Sequence, residues 1–95
     1  LDAVSYAAGW QSMAVGPGKQ IDTLRASGRI SVDGFTAFEG IYSGPQVIVK
    51  IAFIATADRM FVVTGSFEAS AFTRGEAVFD AFLDSLRIGA RAAVR

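Results

Sequence analysis

One stretch constrains this chain more than any other. Gln46 to Thr56 alternates as a strand does, yet both of its faces are mostly apolar. Val47, Val49, Ile51, Phe53 and Ala55 fall on one side, and Ile48, Ala52 and Ile54 on the other. Such a run reads as a central strand covered on at least one face. Lys50 is the charge within it, and its long stem lets the ammonium reach out past an edge.

The neighbouring segments read as strands joined by tight turns. Phe35 to Ser43 alternates, and Met60 to Phe67 supplies an antiparallel partner for the central run. Asp33-Gly34 is a two-residue hairpin signal, Gly44-Pro45 a second turn and Asp58-Arg59 a third. Upstream, Ile21 to Arg25 and Arg29 to Val32 are expected as two further short strands. Hairpin connections imply an antiparallel sheet.

A helix is expected at each end. Residues 2–13 read as helical, with Asp2 as N-cap and Val4, Ala7, Ala8 and Met13 on one face. Tyr6 and Trp10 pair at i, i+4. Gly16-Pro17-Gly18 then stops regular structure. Followed by Lys19, it invites a phosphate-loop reading, but Met13 stands where that motif needs glycine and Gln20 where it needs Ser or Thr. Glu68 to Phe72 is a connector with room for one helical turn. Thr73 with Glu76 spells a Thr-x-x-Glu capping box for a helix over 74–87. Val78, Phe79, Phe82, Leu83 and Leu86 form its apolar face, and Glu76, Asp80 and Asp84 a solvated one. Ile88 opens a short extended segment ended by Gly89. Two amphipathic helices and one sheet predict an α+β fold, an antiparallel β-sheet packed against an N-terminal and a C-terminal helix. Both helices are expected on one side of the sheet. Phe79, Phe82 and Leu86 would then meet Val49, Ile51, Phe53 and Val62.

Composition decides which chemistry is absent. The 95 residues contain no His and no Cys. That removes the ordinary Ser-His-Asp triad, thiolate nucleophiles, disulfides and the usual zinc ligands. Carboxylates at Glu76, Asp80 and Asp84 project along a convex helix, without the converging ligands that Ca²⁺ requires. No cofactor and no metal are expected. Formal net charge is zero, so no basic field favours nucleic acid. Arg87, Arg91 and Arg95 read as a solubilising tail. No apolar run approaches the length of a membrane span. The chain opens on Leu1 without initiator Met, and residues 1–95 are expected to be one small domain of a longer protein.

Several of these residues resemble a known family. Val32-Asp33-Gly34-Phe35-Thr36-Ala37 resembles an Ile-Asn-Gly-Leu-Pro-Ala hairpin, with Phe35-Thr36 in place of Leu-Pro. The apolar strand Val49-Lys50-Ile51-Ala52-Phe53-Ile54 is similar to one ending in Phe-Ile. Asp58-Arg59-Met60-Phe61-Val62-Val63-Thr64-Gly65 is similar to a turn leading into Val-Tyr-x-x-x-Gly, with Phe61 for Tyr. Phe79 to Arg87 resembles a closing helix that ends in Ser-Phe/Leu-Arg. Together they resemble the small C-terminal domain of bacterial envelope zinc metalloproteases of the Ste24-like type with TPR repeats, and in outline the PsbP-like α/β/α sandwich group. That resemblance implies a cell-envelope, periplasmic or secreted location. It carries no catalysis here, because His-Glu-x-x-His needs histidine.

Three functions compete. The first is a non-catalytic accessory or protein-interaction domain that contacts other domains of its parent chain, an envelope protein or a second copy as a homodimer. The second is a freestanding PsbP-like binding module. The third is an enzyme or small-ligand carrier of the α+β-barrel kind, with a pocket between helix and sheet. Residues proposed for ligand or partner contact are Tyr6, Trp10, Glu39, Tyr42 and Lys50. The two helix aromatics either mark a binding surface or pack on their own sheet. Glu39 either points inward among Phe35, Ala37 and Ile41, or is solvated or paired across the ladder with Lys50.

Overall fold

A computed structural model of the chain describes residues 2–88. It is an α+β fold: helix α1 (Ala3–Ala14), strands β1 (Thr23–Val32), β2 (Phe35–Ser43), β3 (Ile48–Ala55) and β4 (Met60–Phe67), and helix α2 (Phe72–Ser85). A short 3₁₀ turn, Ala69–Ala71, fills the connector before α2. The strands form one antiparallel meander in chain order, so β3 lies inside and pairs with both β2 and β4. The two short strands expected between Ile21 and Val32 are one strand with a bulge between Leu24 and Ala26. Ile21 stays outside it, in an isolated bridge to Val15.

The turns follow their residues. Asp33 and Gly34 both have positive φ, 51° and 82°, which gives the two-residue turn whose twist suits a hairpin. The Asp33 carboxylate accepts the Ile88 N–H at 2.7 Å and ties the end of the described chain back to this turn. Asp2 caps α1, accepting from Val4 N–H at 3.2 Å and Ser5 Oγ at 2.8 Å. These bonds, the Ser5 hydroxyl first, hold its carboxyl below the usual range.

The helices lie on opposite faces of the sheet, which corrects the expectation of a shared face. α1 covers Tyr42, Ile51 and Phe53, using Ala3, Ala7 and Trp10. Val4 is only half-buried, Ala8 is exposed and Met13 is 71% exposed, so the actual stripe runs i, i+4, i+7 from Ala3. α2 covers Ala37, Ala52 and Ile54 with Phe79 and Leu83. Phe79 therefore meets the opposite side of β3 from Ile51 and Phe53. The reason lies in β3 itself. Both of its faces are apolar, and one helix layer can bury only one of them.

Helix α2 differs from its expected form in two more ways. It begins at Phe72, Thr73 lies inside it, and no side chain caps it. The capping box does not form because Glu76 bonds elsewhere. Phe82, placed by spacing on the apolar face, is 50% exposed. Among the described residues no helix is long and apolar enough to cross a membrane. Gly89, Arg91 and Arg95 lie outside the described residues.

Candidate functional site

Lys50 does not reach past an edge. It is 3% exposed, under α2 in the middle of the sheet. β3 alternation turns it to the α2 face, and α2 crosses above it with Glu76 and Asp80 one turn apart. Lys50 Nζ donates to Glu76 Oε2 and to Asp80 Oδ1, both at 2.8 Å. Glu39 Oε1 lies 3.6 Å away, one pair diagonal across the β2–β3 ladder. The Phe79 ring centroid is 5.6 Å from the ammonium. Of the acidic helix face expected to be solvated, only Asp84 remains free of this cluster.

Three carboxylates around one ammonium fix its protonation. Burial alone pushes the Lys50 amine down. The hydrogen bonds to Asp80 and Glu76, with the charge of Glu39, overcome that and hold it up to about 12. A lysine that works as nucleophile or base needs the opposite shift. The cluster is therefore a clamp that pins α2 to β3 and β2. Among the described residues no three His, Cys, Asp or Glu side chains are grouped to hold a metal ion.

On the other face Tyr42 is fully buried. Trp10 packs on it with ring centroids 5.1 Å apart, and both Trp10 and Tyr6 pack on Phe53 at 5.8 Å. The Tyr42 hydroxyl accepts from Gln11 Nε2 at 2.7 Å. Burial pushes the Tyr42 phenol up from its ordinary pKa, against the lowering effect of that bond. Thus Tyr6, Trp10 and Tyr42 belong to the α1 face, and Glu39 and Lys50 to the α2 face. The five residues do not converge on one pocket.

What spacing did not reveal is the β4 side. α1 stops short of β4 and leaves Val62, Thr64 and Ser66 exposed. A cleft of about 330 Å³ opens there, floored by Val47, Val49, Ile51 and Val62 and walled by Trp10 and Gln20. The alternation of β4 was legible. That α1 would leave it bare was not, because the offset of a helix across a sheet is set by packing.

Gly75 explains how α2 sits over β4. A Cβ there would fall inside the van der Waals radius of the Phe67 ring. Phe67 in turn meets Phe72 edge-on, with centroids 5.7 Å apart. Set against family models, curated proteins and solved structures, the chain has no match in any of the three.

Proposed function

We propose that this chain is a non-catalytic protein-interaction domain, an accessory part of a larger cell-envelope protein. One observation carries the reading: among the described residues the outer edge of β4 is unpaired and uncharged, with exposed apolar side chains to either side of it. Val62 is 46% exposed on one face of it, and Val78 and Phe82 are 69% and 50% exposed on the helix above the other. Exposed apolar groups gathered on one side of a small domain are the mark of a contact surface. Lys50, the buried amine among the described residues, is held as a cation by three carboxylates, the opposite of what a lysine nucleophile or base needs. The hairpin and strand resemblance to the C-terminal domain of envelope zinc metalloproteases is the reason for naming such an enzyme as the parent. A parent gene encoding His-Glu-x-x-His upstream would support that choice over a freestanding PsbP-like module.

The test is photo-crosslinking in the source cells, with a benzophenone side chain at position 62 or 82 and a control at Ser27 on β1. Discrete adducts from 62 and 82, and none from 27, are expected. No adduct from either β4-side position would overturn the reading. The cleft favours a second reading, in which a small apolar molecule lies between Trp10 and Val62; clefts of this size sit at the low end for ligand sites. Trp10 is the chain's only tryptophan. A saturable change in its emission with an anilinonaphthalene dye, abolished by Val62→Lys, would support that alternative.

A further inference from the structure

The two edges of the sheet are built differently. β1 carries Arg25 and Arg29 and a bulge that takes Arg25 out of register. Charge and bulge are the usual guards of an edge strand. β4 has neither. Met60–Phe67 contains no charged residue and no proline, and it pairs with β3 over its whole length without a register shift. Among the described residues no other backbone group bonds to its outer edge.

Apolar groups line that edge above and below. On the α2 face, Gly75 and Phe79 sit over β4, while Glu76 and Asp80 turn inward to Lys50. A helix turns about 100° per residue, so Val78 and Phe82 occupy the flank away from Lys50, on the side of the free edge. On the α1 face Val62 and Thr64 are exposed.

We propose that the β4 edge is a self-association interface, at which two copies of the chain pair β4 to β4 antiparallel about a two-fold axis normal to the sheet. The proposal rests on the reading of the chain as an interaction domain and names its partner, a second copy. A foreign peptide laid along the edge would satisfy the backbone but leave Val78 and Phe82 in water above it. A second copy brings its own α2, so one two-fold axis pairs the strands and sets the two helix flanks toward each other. The strand is also self-complementary. With the axis at Thr64, Phe61 faces Phe67 of the second copy, Val62 faces Ser66 and Thr64 faces Thr64, pairs of the kinds that stabilise ladders. The first charges flanking the strand are Arg59 before it and Glu68 after it. Counted along this register, Arg59 of each copy lies opposite Ala69 of the other, one residue along from Glu68, whereas in-register parallel pairing would set Arg59 opposite Arg59. Each chain offers one unguarded edge, so assembly closes at two.

Sedimentation equilibrium of the 95-residue chain tests this. A species of twice the 10.0 kDa chain mass is expected at micromolar concentration. Val62→Lys/Thr64→Lys puts like charges across the two-fold axis at exposed positions and should weaken the dimer about tenfold or more. Ser27→Lys on β1 should leave it unchanged. Phe82→Lys, exposed on the helix, replaces the double variant if circular dichroism shows that one unfolded. A monomer at all concentrations, or a dimer weakened by Ser27→Lys but not by the β4-side changes, would overturn the proposal. The crosslinks from positions 62 and 82 separate the two readings. An adduct of twice the mass of the polypeptide that carries the crosslinker supports self-pairing. An adduct with a different protein overturns self-pairing and leaves the interaction reading standing, and no adduct overturns both.

Discussion

Consider two ways of breaking the cluster around Lys50: Lys50→Met, and the double change Glu76→Ala/Asp80→Ala. The first removes the ammonium but fills its stem with a chain of similar length. Three carboxylates are left without a cation, yet their side chains are between 26 and 51% exposed and can take up water. The cost should be about 1 kcal/mol. The second change leaves the ammonium in place, 4% exposed, with both partners at 2.8 Å gone and only Glu39 at 3.6 Å. Breaking a buried pair from this side costs about 3–5 kcal/mol. The half exposure of Asp80 lets some water in, which lowers the figure to about 2–3 kcal/mol. Urea unfolding at neutral pH, followed by circular dichroism, reads both. The cluster also makes stability depend on pH. Lys50 is raised from 10.5 to about 12 on folding, so its contribution is whole below pH 10.5 and is lost as pH climbs toward 12. The stability gap between the wild-type chain and Lys50→Met should therefore be flat through neutral pH and close across that alkaline window. A Lys50→Met variant less stable than the double alanine variant would refute the clamp as described.

Other outcomes follow from single contacts. Gly75→Ala should lower the melting temperature although alanine favours helix by about 1 kcal/mol, because overpacking against Phe67 costs about 1–3 kcal/mol; a raised melting temperature would contradict the close approach. Phe79→Ala should cost about 3–5 kcal/mol by chemical denaturation, whereas Phe82→Ala should cost the folded monomer about 1 kcal/mol or less. Equal costs would mean that α2 is rotated from its described position. Asp33→Ala should cost about 1–2 kcal/mol, since it removes the acceptor of the Ile88 N–H and a residue that tolerates positive φ. An unchanged urea midpoint would show that this tie carries no stability.

The strand order was legible because each hairpin announces itself locally. Asp33-Gly34 fits one turn type, and the turns after Ser43 and Ala55 fall where glycine, proline and a polar pair interrupt alternation. The N-cap at Asp2 was legible for the same reason. The side taken by each helix differs from expectation, although β3 carries the sign of it in two apolar faces that ask for a layer each. α1 misled because alanines at positions 3, 7, 8 and 14 leave its stripe poorly defined, and Trp10 decides it. Lys50 misled because a lone charge in an apolar run fits either an edge or a buried pair. Only the crossing of α2 over β3, which brings Glu76 and Asp80 above it, decides between them. Thr73 and Glu76 spell a capping box, but a buried ammonium competes for the same carboxylate more strongly than an exposed N–H does. The bare β4 edge was hidden because it depends on where two helices end up across a sheet, a matter of packing between distant segments.

Pairing of two copies through the β4 edge is put to its sharpest test by amide hydrogen exchange of Met60–Phe67 measured against chain concentration. Exchange reports whether a strand's outward amides are bonded or open to water. The β3 amides of Ile48–Ala55 should be slow at every concentration, and those of the guarded edge β1 that face outward should be fast. Outward amides of β4 should be fast in dilute solution, slow when the chain is concentrated, and fast at both in Val62→Lys/Thr64→Lys. Outward β4 amides that exchange fast at all concentrations, with no slowing on association, would contradict the account.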